Sequence, residues 1–441
     1  MKNVDFSKVL FLFAGALLFF VYGLAVSRFH IFPYSVLKFA EESLVEVFAE
    51  RGMLTGTRPT AHLFKARHEG NGVTHFDKDQ AFPGFTLLSG FFGDGLELRL
   101  IRLDGSIVNR WPARFHDLFR DTSHIQPEDR VPRTNWNTSL LGSMAFPDGS
   151  ILFNLEAGGL VKLDRCGAVQ WTLARMVHHS IDQAEDGGFW IPSIRYISRD
   201  SPFPLLTPPY KEETIMKVSP DGKILQEISV PRLLFDNKLA ALLFANGKDG
   251  NAFDTPDLTH LNDVEELKSQ VAGQFPLFSA GDLLVSLRNL NLVMVVDPKT
   301  QKVKWHQTGP WLDQHDPDFT ANGKISVFSN NNNWTKTGSI NGGSTVIEVD
   351  PVTRETSIRY GALPKQKFFT RYRGQHQLLD NGNLLISDSE GGRALEVNRE
   401  GSLVWQMINR FDEDNVAIVN DVVRYPAGYF TVNDWTCPKR S

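Results

Sequence analysis

Leu100-Ile-Arg-Leu-Asp104-Gly-Ser-Ile-Val-Asn-Arg-Trp111 sets two runs of alternating apolar and polar residues on either side of an Asp-Gly pair. That is the pattern of two antiparallel strands joined by a tight hairpin. The phrase returns along the chain. Leu160-Val-Lys-Leu-Asp164 leads to Trp171, and Ile215-Met-Lys-Val-Ser219-Pro-Asp-Gly222 leads to Ile228. Val293-Met-Val-Val-Asp297 leads to Trp305, Val346-Ile-Glu-Val-Asp350 to Tyr360, and Ala394-Leu-Glu-Val-Asn398 to Trp405. The turn positions 104, 164, 219, 297, 350 and 398 lie 48 to 78 residues apart. Six strand-rich units of that size, without helical periodicity, predict an all-β, six-bladed β-propeller.

A second turn precedes most of these hairpins: Pro147-Asp-Gly149, Glu185-Asp-Gly-Gly188, Ala280-Gly-Asp282, Asn322-Gly323 and Asn381-Gly382. Each blade then reads as strand, Gly turn, strand, loop, strand, Asx turn, strand, with the first strand innermost along the central channel. The histidines fall on that first strand. His179 and His315 stand seven residues before Asp186 and Asn322, and His376 stands five before Asn381. Rotational repetition should aim these imidazoles at one place near the channel mouth. His260, in Asp257-Leu-Thr-His260-Leu-Asn262-Asp263, opens the blade with the longest spacing. Converging imidazoles can bind an anion or a metal, or supply a nucleophile and a general acid. No HExxH or compact carboxylate pattern accompanies them, so neither a metal nor another cofactor is expected. The tryptophans closing the hairpins read as packing between blades rather than as stacking platforms.

The N-terminus carries a different signal. Val9 to Val26 is uncharged and apolar, long enough as a helix to cross a bilayer. It reads as an uncleaved transmembrane signal anchor, with a cleaved signal peptide as the alternative, since Ala25 and Ser27 fit a small-x-small site. Either way the body lies outside the cytoplasm, periplasmic or luminal. Tyr34 to Glu50 has the spacing of a short amphipathic helix. The expected organisation is a tail at 1–8, the anchor at 9–26, this helix and a linker at 27–83, and the propeller at 84–441.

Across 441 residues, 46 Lys and Arg face 51 Asp and Glu, a net charge of -5 without a long basic run, which argues against nucleic acid as a partner. Cys166 and Cys437, the two cysteines, are too few for a disulfide framework or thiolate zinc site. They either form one bridge tying a late strand to an early loop, or remain two buried thiols.

Val177-His-His-Ser-Ile, Thr259-His-Leu-Asn262-Asp, Gly281-Asp-Leu-Leu-Val-Ser-Leu-Arg288, Gln314-His-Asp-Pro-Asp318 and Gln375-His-Gln-Leu-Leu-Asp-Asn-Gly-Asn-Leu-Leu-Ile386 together resemble the bacterial arylsulfotransferase (arylsulfate sulfotransferase) family. The resemblance implies an extracytoplasmic six-bladed propeller that moves a sulfuryl group from a phenolic sulfate ester to a phenol through a sulfohistidine, without a nucleotide sulfate donor. Its partners would be a small-molecule aryl sulfate and a phenol, plus the membrane through the N-terminal helix. By order and blade position His376 matches the nucleophile and His315 the assisting histidine, with His179 or His260 as a further one. Asn262 and Arg288, within the matching strings, are candidate substrate-binding residues.

One departure stands out. Where the family carries an arginine after the Gln-His motif, this chain reads Val327-Phe-Ser-Asn-Asn-Asn-Asn333-Trp-Thr-Lys336. Lys336 offers a point charge but no bidentate fork, and Arg371 or Arg373 would have to reach in from the next blade. Loss of that arginine raises an alternative, a propeller without catalysis that binds a ligand or acts as a scaffold. A metal- or quinone-dependent oxidoreductase has only the fold in its favour.

Overall fold

Asx side chains explain why the hairpins turn where they do. Oδ1 of Asp104 accepts the backbone N–H of Ser106 at 2.9 Å, Asp164 that of Cys166 at 2.8 Å, Asp297 that of Lys299 at 2.9 Å, and Asp350 that of Val352 at 2.8 Å. Each carboxylate holds the turn that its short side chain favours. The computed structural model describes residues 6–29, 31–34, 52–53, 57–245, 257–332 and 342–438. Most of the expected amphipathic helix, and Lys336, lie outside the described residues.

Six antiparallel sheets form the propeller. The second blade comprises Leu140–Ala145, Ile151–Leu155, Gly159–Leu163 and Val169–Leu173, and the third Asp182–Gln183, Phe189–Ile197, Tyr210–Val218 and Ile224–Ser229. Leu261–Glu266, Leu283–Leu287, Leu292–Asp297 and Lys302–Thr308 make the fourth, and His315–Phe319, Ile325–Ser329, Thr345–Val349 and Thr356–Tyr360 the fifth. The first and sixth blades close the ring. Val419–Pro426, at the C-terminal end, is the inner strand of the first blade, beside Gly84–Phe92, Gly95–Arg102 and Ile107–Pro112. Gly72–Phe76 is added outside His376–Leu378, Leu384–Asp388, Arg393–Val397 and Leu403–Ile408 in the sixth.

This closure corrects the expected linker. The propeller unit begins at His62, and Leu63–Lys65 and Gly72–Phe76 are strands paired with Asn415–Ala417 and Leu403–Ile408. Short, half-exposed strands carry too little apolar periodicity to stand out in sequence. A Cys166–Cys437 disulfide adds a covalent tie, with Cα atoms 5.5 Å apart, between the second-blade hairpin and the segment after the closing strand.

The hairpin tryptophans join neighbouring blades. The indole N–H of Trp111 donates to the Asp164 carbonyl at 3.1 Å, that of Trp171 to Pro220 at 3.1 Å, and that of Trp405 to Leu103 at 2.8 Å. Each ring fills the gap at the next blade's turn while its polar edge is satisfied there. In the N-terminal unit, Phe6–Phe29 is a 24-residue helix that contains an 18-residue stretch with a mean hydropathy of 2.6, long and apolar enough to cross a membrane.

Candidate functional site

A recess opens on the propeller axis, and each blade sends at least one inner-strand residue or its neighbour to it. Leu141, His179, Asn262, His315, Gly374 and Asn420 come from the second, third, fourth, fifth, sixth and first blades in turn. Counting back seven residues from Asp148, Asp186, Asn322 and Asn381 lands on Leu141, His179, His315 and Gly374. Gly374, not His376, therefore holds the sixth blade's place in the ring. His376 stands two residues closer to its turn. It packs against Asp316, with Nδ1 3.0 Å from Asp316 Oδ2 and Nε2 2.6 Å from Ser326 Oγ and 3.4 Å from Asp318 Oδ2. Both its nitrogens are occupied, and it does not line the recess.

Inner-strand bulges aim the ring. Pairing shifts between Leu140 and Ser143, Leu261 and Asp263, His315 and Asp318, and Val419 and Asp421. Around the recess His179, His260, Asp313, Asp316 and Arg373 adopt left-handed backbone conformations, with φ between 50° and 64°. Such conformations cost a non-glycine residue roughly 1 kcal/mol or more each and concentrate at functional sites.

The imidazoles of His179 and His260 meet edge to face with centroids 5.0 Å apart, and the His179 and His315 rings are 6.0 Å apart. Three of the four expected histidines thus converge. Their hydrogen bonds indicate neutral tautomers. His260 donates from Nδ1 to Asp257 Oδ2 at 2.5 Å, and its buried Nε2 has no partner. His315 donates from Nδ1 to Asn330 Oδ1 at 2.7 Å, and its Nε2 accepts the Arg373 backbone N–H at 3.2 Å. His179 and His178 share an Nδ1–Nδ1 hydrogen bond of 2.7 Å, and His178 Nε2 lies 2.9 Å from Glu213 Oε2. Nε2 of His179 makes no hydrogen bond among the described residues, and the residue lines the recess.

Burial, then Arg288, pushes His260 down to about 4 and His315 down to about 3. Burial, then His178, His260, His315 and Arg288, holds His179 well below the usual range. All three are unprotonated at neutral pH. The other candidates sort by position. Arg373 lines the recess, its guanidinium donating to Asn420 Oδ1 at 3.0 Å and Ser139 Oγ at 2.8 Å. Asn262 lines it too, donating to the Gln314 carbonyl at 2.7 Å while its buried Oδ1 is unpaired. Arg288 donates its backbone N–H to the His260 carbonyl at 3.0 Å, which sets its charge close to all three imidazoles. Arg371 is paired with Glu390 at 2.9 Å.

Below the imidazoles the floor is acidic. Asp263 and Asp316 line the recess, and burial together with Asp316 pushes Asp263 and Asp318 well above the ordinary carboxylate range. Asp316, Asp318 and His376 offer atoms within 4.8 Å of one another, the one set among the described residues able to hold a metal ion. Sequence reasoning missed Asp257, His178, Glu213 and Asn420. Asp257 and His178 sit beside flagged histidines, but Glu213 and Asn420 come from other strands and leave no local signal.

These features define a six-bladed propeller with a histidine- and arginine-lined axial recess. The family model for arylsulfotransferase (ASST) matches residues 144–410, more than half of the sequence, and the chain belongs to that family. No curated protein matches the sequence. Among solved structures, a protein of unknown function from Bacteroides caccae is 15% identical over 77% of this chain and 98% of its own, with a TM-score of 0.47. TolB from Acinetobacter baumannii is 12% identical over 79% of this chain and 67% of its own, with a TM-score of 0.42. BamB from Moraxella catarrhalis is 13% identical over 78% and 76%, with a TM-score of 0.31.

Proposed function

We propose that the recess transfers a sulfuryl group from an aryl sulfate to a phenol through a histidine intermediate, with His179 as the attacking imidazole. The observation that carries this reading is the ring itself, where the neutral His179, with an unpartnered Nε2, faces His315 across a pocket that Arg373 enters. Nε2 bonds to sulfur, the aryl–oxygen bond to sulfur breaks, and the phenolate departs with the electron pair. A phenol acceptor then reverses the step. The Arg373 guanidinium and the unpaired Nδ2 of Asn420 would donate to the sulfuryl oxygens, and Arg288 favours negative charge near the imidazoles. Arg373 thereby takes the part that sequence reasoning weighed between Lys336 and the next blade's arginines. The resemblance alone would give the attack to His376, but the Asp316 and Ser326 contacts occupy both its nitrogens.

The N-terminal helix would anchor this domain with the propeller outside the cytoplasm, where phenolic sulfates reach it without a nucleotide donor. Release of 4-nitrophenol from 4-nitrophenyl sulfate with a phenol acceptor tests the reading. His179→Ala should lower the rate by about 10²-fold or more and His376→Ala by less. Equal loss in both, or loss in His376→Ala alone, overturns the assignment. No release across a panel of aryl sulfates supports instead a ligand-binding propeller without catalysis.

A further inference from the structure

We propose that Glu213 and His178 form a proton relay behind His179, drawing off its Nδ1 proton as its Nε2 bonds to sulfur; this rests on the sulfuryl-transfer reading. Three groups stand in line from the core to the recess: Glu213 Oε2, the two nitrogens of His178, and Nδ1 of His179, with links of 2.9 and 2.7 Å. Glu213 and His178 are buried, whereas His179 is partly exposed and lines the recess.

An Nδ1–Nδ1 contact admits one proton between the two rings. With Glu213 ionised, His178 donates from Nε2 to the carboxylate, and its Nδ1 lone pair accepts the Nδ1–H of His179. The one nitrogen left with a free lone pair is then Nε2 of His179. When that lone pair bonds to sulfur, His179 would become an imidazolium beside Arg288, His260 and His315, which burial makes unfavourable. The relay avoids this. The Nδ1 proton of His179 passes to Nδ1 of His178, the Nε2 proton of His178 passes to Glu213, and both rings end uncharged. Glu213 becomes a neutral carboxylic acid, and the reverse shifts restore the line when the sulfuryl group leaves. The charged and titratable groups that bear on Glu213 are His178, Asp257, Lys211 and Arg288, and burial pushes its carboxyl upward, so that it holds a proton more readily than an exposed glutamate. Glu213 and His178 are positioning residues, since neither lines the recess.

Two measurements on the full chain test this. In the first, Glu213→Gln keeps an oxygen for the His178 Nε2–H but cannot take a proton; release of nitrophenol should fall by about 10²-fold while thermal stability stays near wild type. A rate within about twofold of wild type overturns the relay. The second needs no activity. Nitrogen-15 NMR of the histidines should show His178 protonated at Nε2 and His179 at Nδ1. On acidification, wild type should pass to His178 Nδ1–H and His179 Nε2–H together, without an imidazolium, and Glu213→Gln should not. A resting His179 protonated at Nε2, or an imidazolium forming at His179 in wild type, contradicts the relay. If wild type itself releases no nitrophenol, the sulfuryl reading fails, and the NMR result alone decides the relay.

Discussion

His179 and His315 share a seven-residue offset from their turns, and that offset decides which imidazoles reach the axis. His376 carries the family-like string, yet its five-residue offset moves it one side-chain position along the strand, where Asp316 and Ser326 claim it. The sequence showed three histidines in nearly one phase, but a difference of two residues is the whole difference between facing the recess and packing beside it. His260 was the reverse case, of uncertain phase in sequence and brought to 5.0 Å from His179 by the fold. The depressed basicity has a visible consequence. An ordinary histidine near 6.5 would be half protonated at that pH, whereas His260 and His315 hold their lone pairs down to about 4 and 3. Because burial lowers the folded-state values, protonation abolishes activity only as pH falls through them. The pH profile of kcat/KM with 4-nitrophenyl sulfate should therefore stay level from pH 7 to about 5. A midpoint near 6.5 would contradict the burial argument.

Blades were legible as elements because each outer hairpin pairs alternating strands with a side-chain-capped turn, a signal contained within about a dozen residues. The closing strands were not. Val419–Pro426 pairs with Gly84–Phe92, and Gly72–Phe76 with Leu403–Ile408, so their partners lie more than 300 residues away. Gly374 illustrates how closely these elements fit. It adopts φ 98°, and a Cβ there would meet the Phe328 ring at 2.5 Å. Gly374→Ala should cost about 2–4 kcal/mol, from backbone strain plus overpacking, read as a lower denaturation midpoint in urea. It should also narrow the recess between His315 and Asn420 and raise KM for aryl sulfates. A midpoint within error of wild type would show that the position tolerates a side chain.

For the whole molecule, a ring of blades is only as stable as its seam. The seam here joins the first blade's outer strands to the C-terminal inner strand, and the Cys166–Cys437 bond fixes the segment just beyond it to the second blade. The sequence left that bond open against two free thiols, because no local feature reports a partner 271 residues distant. Cys437→Ser should lower stability by about 2–4 kcal/mol without changing activity, measured by calorimetry beside nitrophenol release. An unchanged melting temperature would mean the hydrogen-bonded seam suffices. The central proposal is that a ring imidazole carries the sulfuryl group. Mass spectrometry of the enzyme quenched in denaturant at alkaline pH, where a sulfuryl–imidazole bond survives, after a brief exposure to 4-nitrophenyl sulfate tests it most directly. The account predicts one added SO₃ on the peptide bearing His179, absent from His179→Ala; the same mass on the peptide bearing His376, or nitrophenol release with no label on any histidine, would contradict it.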